Sequence, residues 1–204
     1  MRSIKRTYLL AWVLFFSVSL FAQKDRQARE VLDKTAATLQ QAGGIRATFE
    51  GTGNGTLLLK GNQFYLNSGG VQSWFDGKTQ WSYLESSEEV NVSTPTPEEL
   101  QSIHPYALLS LYKNGYHYTY AGVKSRNGKQ GFEVILTPEQ KQDIASVTLF
   151  VSKAYQPLYI KIEQSNQSVN EIIITSYQTH QPLDPATFTF DKRKFPNAEV
   201  IDLR

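Results

Sequence analysis

Residues 55–83 read GTLLLKGNQFYLNSGGVQSWFDGKTQWSY, and this stretch constrains the fold most. Thr56 to Lys60, Gln63 to Asn67, Val71 to Phe75 and Lys78 to Tyr83 are short runs rich in leucine, β-branched and aromatic residues. Turn residues separate them, Gly61-Asn62, Gly69-Gly70 and Asp76-Gly77, and the Asp-Gly pair between apolar runs predicts a tight hairpin with positive φ at both central residues. The runs are apolar on both faces. Leu57 and Leu59 point one way and Leu58 the other, while Phe64 and Leu66 oppose Tyr65. An antiparallel sheet with one wet face alternates cleanly, so this sheet needs apolar cover, or an apolar cavity, on each side.

The first residues are expected to leave before the chain folds. Arg2, Lys5 and Arg6 precede an apolar run from Tyr8 to Phe21, and Ala22 offers a small residue for cleavage, the pattern of a secretory signal peptide over residues 1–22. Residues 23–204 then form a single domain, with no linker, repeat or low-complexity tract inside it. Losing three cations turns the formal charge of +2 slightly negative, which leaves no electrostatic footprint for nucleic acid. There is no cysteine. Disulfides, thiolate metal sites and a lipidated N-terminal cysteine are thereby excluded. The core must hold the fold alone, and eleven phenylalanines, eleven tyrosines and three tryptophans provide the area.

Lys24 to Gln41 carries Ala28, Val31, Leu32, Thr35, Ala36 and Leu39 at helical spacing, with Gly43-Gly44 where a C-terminal cap belongs. Strands are predicted over Ile45 to Glu50, the four runs above, Val90 to Ser93, Tyr116 to Tyr120, Phe132 to Leu136, Ile144 to Val151, Pro157 to Gln164 and Val169 to Tyr177, with a last one at Thr187 to Phe190. Thr96-Pro97-Glu98-Glu99 has the chemistry of a helix start. His104 to Tyr112 is too short to stand alone and too apolar to lie in water, so it covers an apolar surface as core or as a movable lid. The predicted class is α+β: about eleven strands in a curved antiparallel sheet forming an incomplete barrel, with one longer N-terminal helix and short covering helices.

Nothing in the sequence carries catalysis. His104, His117 and His180 fall in separate elements without ligand spacing, and no nucleophile elbow, phosphate loop or dinucleotide fingerprint occurs. Asp143 and Asp184 could pair with another carboxylate only if the fold brought one near. The expectation is a non-enzyme with no metal and no cofactor.

The order of elements resembles the LolA family of periplasmic outer-membrane lipoprotein carriers along nearly the whole mature chain. The landmarks are the export signal, the helix running into Ile45 to Glu50, the segment Asp76 to Tyr83 (DGKTQWSY), the valines Val90 and Val92, the short Pro105 to Leu109 segment, Leu136-Thr137-Pro138, and Phe188-Thr189-Phe190 followed by Val200-Ile201-Asp202. The resemblance implies a soluble, monomeric periplasmic chaperone with an apolar cavity closed by a helical lid. That cavity would receive lipoprotein acyl chains from an inner-membrane ABC lipoprotein-releasing transporter and give them to an outer-membrane acceptor. It implies Leu57, Leu59, Phe64, Leu66 and Trp81 as cavity wall and Tyr106, Leu108 and Leu109 as the inner side of the lid. Where the family has an Arg-Pro pair, this chain has Lys60-Gly61. Lys60 is either a replacement lid latch, lacking the planar guanidinium fork, or a solvated strand end. The other reading is an exported half-barrel that binds another apolar ligand or a cell-surface protein, without a transport cycle.

Overall fold

The computed structural model describes residues 26–96, 99–100, 111–113 and 115–204. The expected signal peptide, and Tyr106, Leu108 and Leu109 of the expected lid, lie outside these residues. Helix α1 spans residues 26–41. Its buried face is Ala28, Val31, Leu32, Thr35 and Leu39, the face that the three- and four-residue spacing predicts. The helix ends at Gly43, whose φ of +64° suits a residue without Cβ. Gly44 then enters the sheet with no room for a side chain, since a Cβ there would stand 2.1 Å from the carbonyl oxygen of Gln181.

Twelve strands follow among the described residues: β1 (Gly44–Gly51), β2 (Gly55–Lys60), β3 (Gln63–Ser68), β4 (Val71–Phe75), β5 (Gln80–Leu84), β6 (Glu89–Ser93), β7 (Tyr116–Arg126), β8 (Lys129–Pro138), β9 (Ile144–Ser152), β10 (Pro157–Gln164), β11 (Val169–Gln178) and β12 (Glu199–Asp202). They form one sheet in the order β12-β6-β5-β4-β3-β2-β1-β11-β10-β9-β8-β7. All of these pairings are antiparallel except β12 with β6. The end strands β12 and β7 do not pair with each other, so the barrel is incomplete.

The sheet wraps around α1. One core holds the helix face together with Ile45, Leu59, Phe64 and Phe75 from β1–β4 and Val134, Leu136, Val147 and Val151 from β8 and β9. Strands β4 and β8 are seven positions apart in the sheet, roughly 34 Å if flat at the usual strand spacing. A 16-residue helix is only about 24 Å long. Both ends reach one core because the sheet curls, and the face that holds α1 is its inner face.

Two turns differ from expectation. Asp76-Gly77 belongs to a longer loop in which the Asp76 carboxylate accepts hydrogen bonds from the backbone N–H groups of Lys78 and Thr79, both at 2.8 Å. Strand β5 accordingly starts at Gln80. Thr187 to Phe190 is not a strand. Pro185–Phe188 is a 3-10 turn whose first N–H groups are capped by Asp184, and the twelfth strand comes later, at Glu199–Asp202. Proline at the first position and an aspartate cap favour the turn over an extended run.

Candidate functional site

Side chains directly opposite one another in an antiparallel sheet share a face, so the register assigns both surfaces of β1–β6. One inner row runs Ile45, Leu59, Phe64, Phe75, Gln80, Ser93, and the next runs Ala47, Leu57, Leu66, Ser73, Ser82, Asn91. The outer rows alternate with these. The principal one is Leu58, Tyr65, Trp74, Trp81, Val92.

This register separates the predicted cavity residues. Leu59 and Phe64 are 3% and 1% exposed, with the Phe64 ring 5.6 Å from that of Phe75. They are closed core in the same cluster as α1, not open wall. Leu57 and Leu66 lie farther along the same face, half-buried against that core. Trp81 does not join them. It packs with Trp74, Tyr83, Val90 and Val92 in a second core on the outer face. Phe190 and Phe195 of the C-terminal segment cover this cluster, their rings 5.5 and 5.7 Å from Trp74. Strand alternation decides the matter, because Trp81 is opposite Trp74 and Trp74 is one residue out of phase with Phe75.

Sequence reasoning missed the second half of the inner wall. Tyr118, Tyr120, Phe132, Ile160 and Ile162 are half-buried against the α1 core. Their alternation was visible. Their position beside the helix depends on β11 pairing with β1, which no local pattern announces.

The segment between β6 and β7 is seated on the same core at both of its described flanks. Thr96 and Glu99 form a reciprocal capping box, the Glu99 N–H donating to Thr96 Oγ1 at 3.2 Å and the Thr96 N–H to Glu99 Oε2 at 2.7 Å. Leu100 packs against the inner core. At the other flank Tyr112 is buried there, with its hydroxyl donating to Asp33 of α1 at 2.7 Å and its ring edge-on to Tyr118. Burial and the Asp33 hydrogen bond push the Tyr112 phenol up to about 12.

Lys60 has a backbone acceptor. Its Nζ donates to the Leu183 carbonyl at 2.5 Å, so among the described residues it ties the end of β2 to the chain leaving β11.

On the outer face a pocket of about 430 Å³ opens between the β7–β8 turn and β9–β11, lined by Arg126, Asn127, Phe150, Leu158, Tyr159 and Ile173. Arg126, Glu133, Tyr159 and Glu171 around it form one connected set of contacts. Arg126 grips the Glu133 carboxylate at 2.6 and 3.1 Å and lies 4.4 Å over the Tyr159 ring. Tyr159 donates to Glu171 at 2.7 Å. Burial and then that hydrogen bond push its phenol up to about 12. These contacts stabilise one another and present no activated nucleophile. His117 and His180 are exposed and on separate elements, and Asp184 is spent on capping. Among the described residues no three His, Cys, Asp or Glu side chains converge as metal ligands, and no helix is long and apolar enough to cross a membrane.

A family model described as "Outer membrane lipoprotein carrier protein LolA" matches residues 18–188. Among solved structures, an uncharacterized conserved protein from Thermus thermophilus superposes with a TM-score of 0.62 at 15% identity, covering 86% of this chain and 99% of that one. The Mycobacterium tuberculosis lipoprotein LppX superposes with a TM-score of 0.50 at 11% identity, covering 78% and 98%. No curated protein matches the sequence. At these identities the structural likeness speaks for the fold.

Proposed function

The chain belongs to the LolA family of outer membrane lipoprotein carrier proteins, and on that premise we propose that it shelters lipoprotein acyl chains against the inner face of its sheet. Residues 1–22 direct export, and 23–204 act as one soluble domain in the periplasm. An inner-membrane ABC transporter loads the domain and an outer-membrane acceptor empties it. The family is one of carriers, and no residue constellation described above performs chemistry.

A carrier is needed because hydrocarbon cannot cross water freely. Each exposed methylene costs about 0.8 kcal/mol, so an acyl chain of ~16 carbons costs on the order of 10 kcal/mol. The carrier must also release its cargo. Packing the empty interior with its own side chains lowers net affinity, because the ligand has to displace contacts already made. The buried Phe64–Phe75 pair beneath α1 is such a packed interior.

The observation that carries this reading is the seating of Leu100 and Tyr112 on the inner core. It brings both ends of the stretch containing Tyr106, Leu108 and Leu109 to the face where Leu57 and Leu66 are half-buried. The same packed interior also supports the second reading, a half-barrel module whose concave side is simply filled.

The protein is expressed with its leader, and photocrosslinkers at Leu57 and Leu66 are activated during lipoprotein export. A carrier yields adducts with acylated lipoprotein and co-purifies with acyl material. Adducts with neither, together with no uptake of N-phenylnaphthylamine by the purified protein, leave the filled module as the answer.

A further inference from the structure

The inner face changes character midway across the sheet. In the row Ala47, Leu57, Leu66, Ser73, Ser82, Asn91 the first three side chains are apolar and the last three polar. The adjacent row makes the same change one strand later, at Gln80 and Ser93. These polar groups do not simply face open water. Ser73 is 9% exposed, and Gln80, Ser82, Asn91 and Ser93 are half-buried. Their mutual hydrogen bonds are long: Ser73 Oγ to Ser82 Oγ at 3.4 Å and Gln80 Nε2 to Ser82 Oγ at 3.3 Å. The Asn91 amide has no hydrogen-bond partner among the described residues, although it offers two donors and an acceptor. No charged side chain stands in either row.

We propose that this strip, built on Ser82 and Asn91 with Gln80 and Ser73 beside them, is the subsite for the uncharged ester and amide groups that join acyl chains to their carrier molecule. The proposal rests on the carrier reading and adds what the site selects. Acyl chains lie against Leu57 and Leu66, and the linkage atoms then fall two and three strands beyond Leu66, beside Ser82 and Asn91. A neutral carbonyl or N–H can be satisfied there by hydroxyl and amide groups. An ionised carboxylate would be brought into a half-buried region with no countercharge, where the desolvation cost is not offset. The strip therefore favours acyl esters and amides over free fatty acids of the same length.

The test uses the mature protein and competition against N-phenylnaphthylamine by N-methyl lauramide, methyl laurate and laurate. Asn91→Leu with Ser82→Val should weaken the ester and amide roughly five- to tenfold, the effect of one or two lost hydrogen bonds, and leave the headless probe unchanged. Asn91→Lys should strengthen laurate severalfold at neutral pH, with the gain fading as salt rises, a result that misfolding cannot mimic. Unchanged ester and amide affinities in the double variant, or no salt-sensitive gain for laurate in Asn91→Lys, overturn the subsite. Absence of probe binding in the unmodified protein overturns the carrier reading itself, and the subsite with it.

Discussion

Phe64 and Tyr65 are adjacent on β3 and enter different cores. The Phe64 ring lies 5.6 Å from Phe75 beneath α1, and the Tyr65 ring lies 5.4 Å from Trp74 in the outer cluster that the C-terminal segment covers. Phe64→Ala is expected to cost about 3–5 kcal/mol, as for a fully buried ring whose site cannot collapse. Tyr65→Phe removes only the hydroxyl hydrogen bond to Gln72 at 3.0 Å, a loss of about 1 kcal/mol. Urea midpoints of the two variants should differ accordingly.

The two faces give separable phenotypes. Trp81→Ala opens the outer aromatic cluster, so it should lower the unfolding midpoint and leave uptake of a lipid probe unchanged at temperatures where the protein stays folded. Leu66→Asp puts a charge on the half-buried inner face and should abolish uptake. Loss of uptake in a folded Trp81→Ala protein would place Trp81 in the cavity wall after all.

Lys60 ties β2 to the Leu183 carbonyl. Lys60→Leu removes one charge-assisted hydrogen bond at an exposed site, worth about 1 kcal/mol. Limited proteolysis should show faster cleavage after Gln181, with the rest of the sheet protected as before. If probe uptake changes and proteolysis does not, Lys60 acts on the lid instead.

The Arg126–Glu133 pair is lopsided, with side-chain exposures of 39% and 9%. Removing the arginine strands a buried carboxylate, whereas removing the glutamate leaves a guanidinium that can turn to water. Arg126→Ala should therefore cost about 3 kcal/mol and Glu133→Ala distinctly less, measured by thermal or urea unfolding. Equal losses would show that the carboxylate reaches solvent when its partner is gone.

Stability should fall at high pH. The Tyr159 phenol is raised from 10.0 to about 12 in the folded chain, so between these values the unfolded chain ionises first and the folded one holds the extra proton. Stability is fully present below pH 10 and declines as pH rises through the window. Tyr112 is raised to about 12 as well and contributes with the same sign. Tyr159→Phe should reduce the slope of unfolding free energy against pH above 10, and phenolate absorbance should lose one late-titrating group.

Much of this fold is legible in the residues alone. Helix α1 and its buried face follow from 3.6-residue periodicity, most strands follow from their alternation and flanking turn residues, and the capping chemistry at Thr96 follows from residue type and spacing. These are interactions among residues a few positions apart, and local sequence determines them. The faces of β4–β6 are not legible in the same way. Ser73-Trp74-Phe75 is compatible with either side turned inward, and only pairing with β3 and β5 chose. The last strand escapes such a reading because Glu199–Asp202 adds in parallel to β6, a contact between residues more than a hundred positions apart.

The sequence by itself determined that this chain makes a cysteine-free, two-faced sheet and one long amphipathic helix, because periodicity, turn chemistry and composition are properties of short segments. Tertiary structure alone decided which aromatic residues fill the interior and which lie under the C-terminal segment. It also decided where the inner face turns from hydrocarbon to hydroxyl and amide, since a strand's side chains take a face only when a neighbouring strand sets their register.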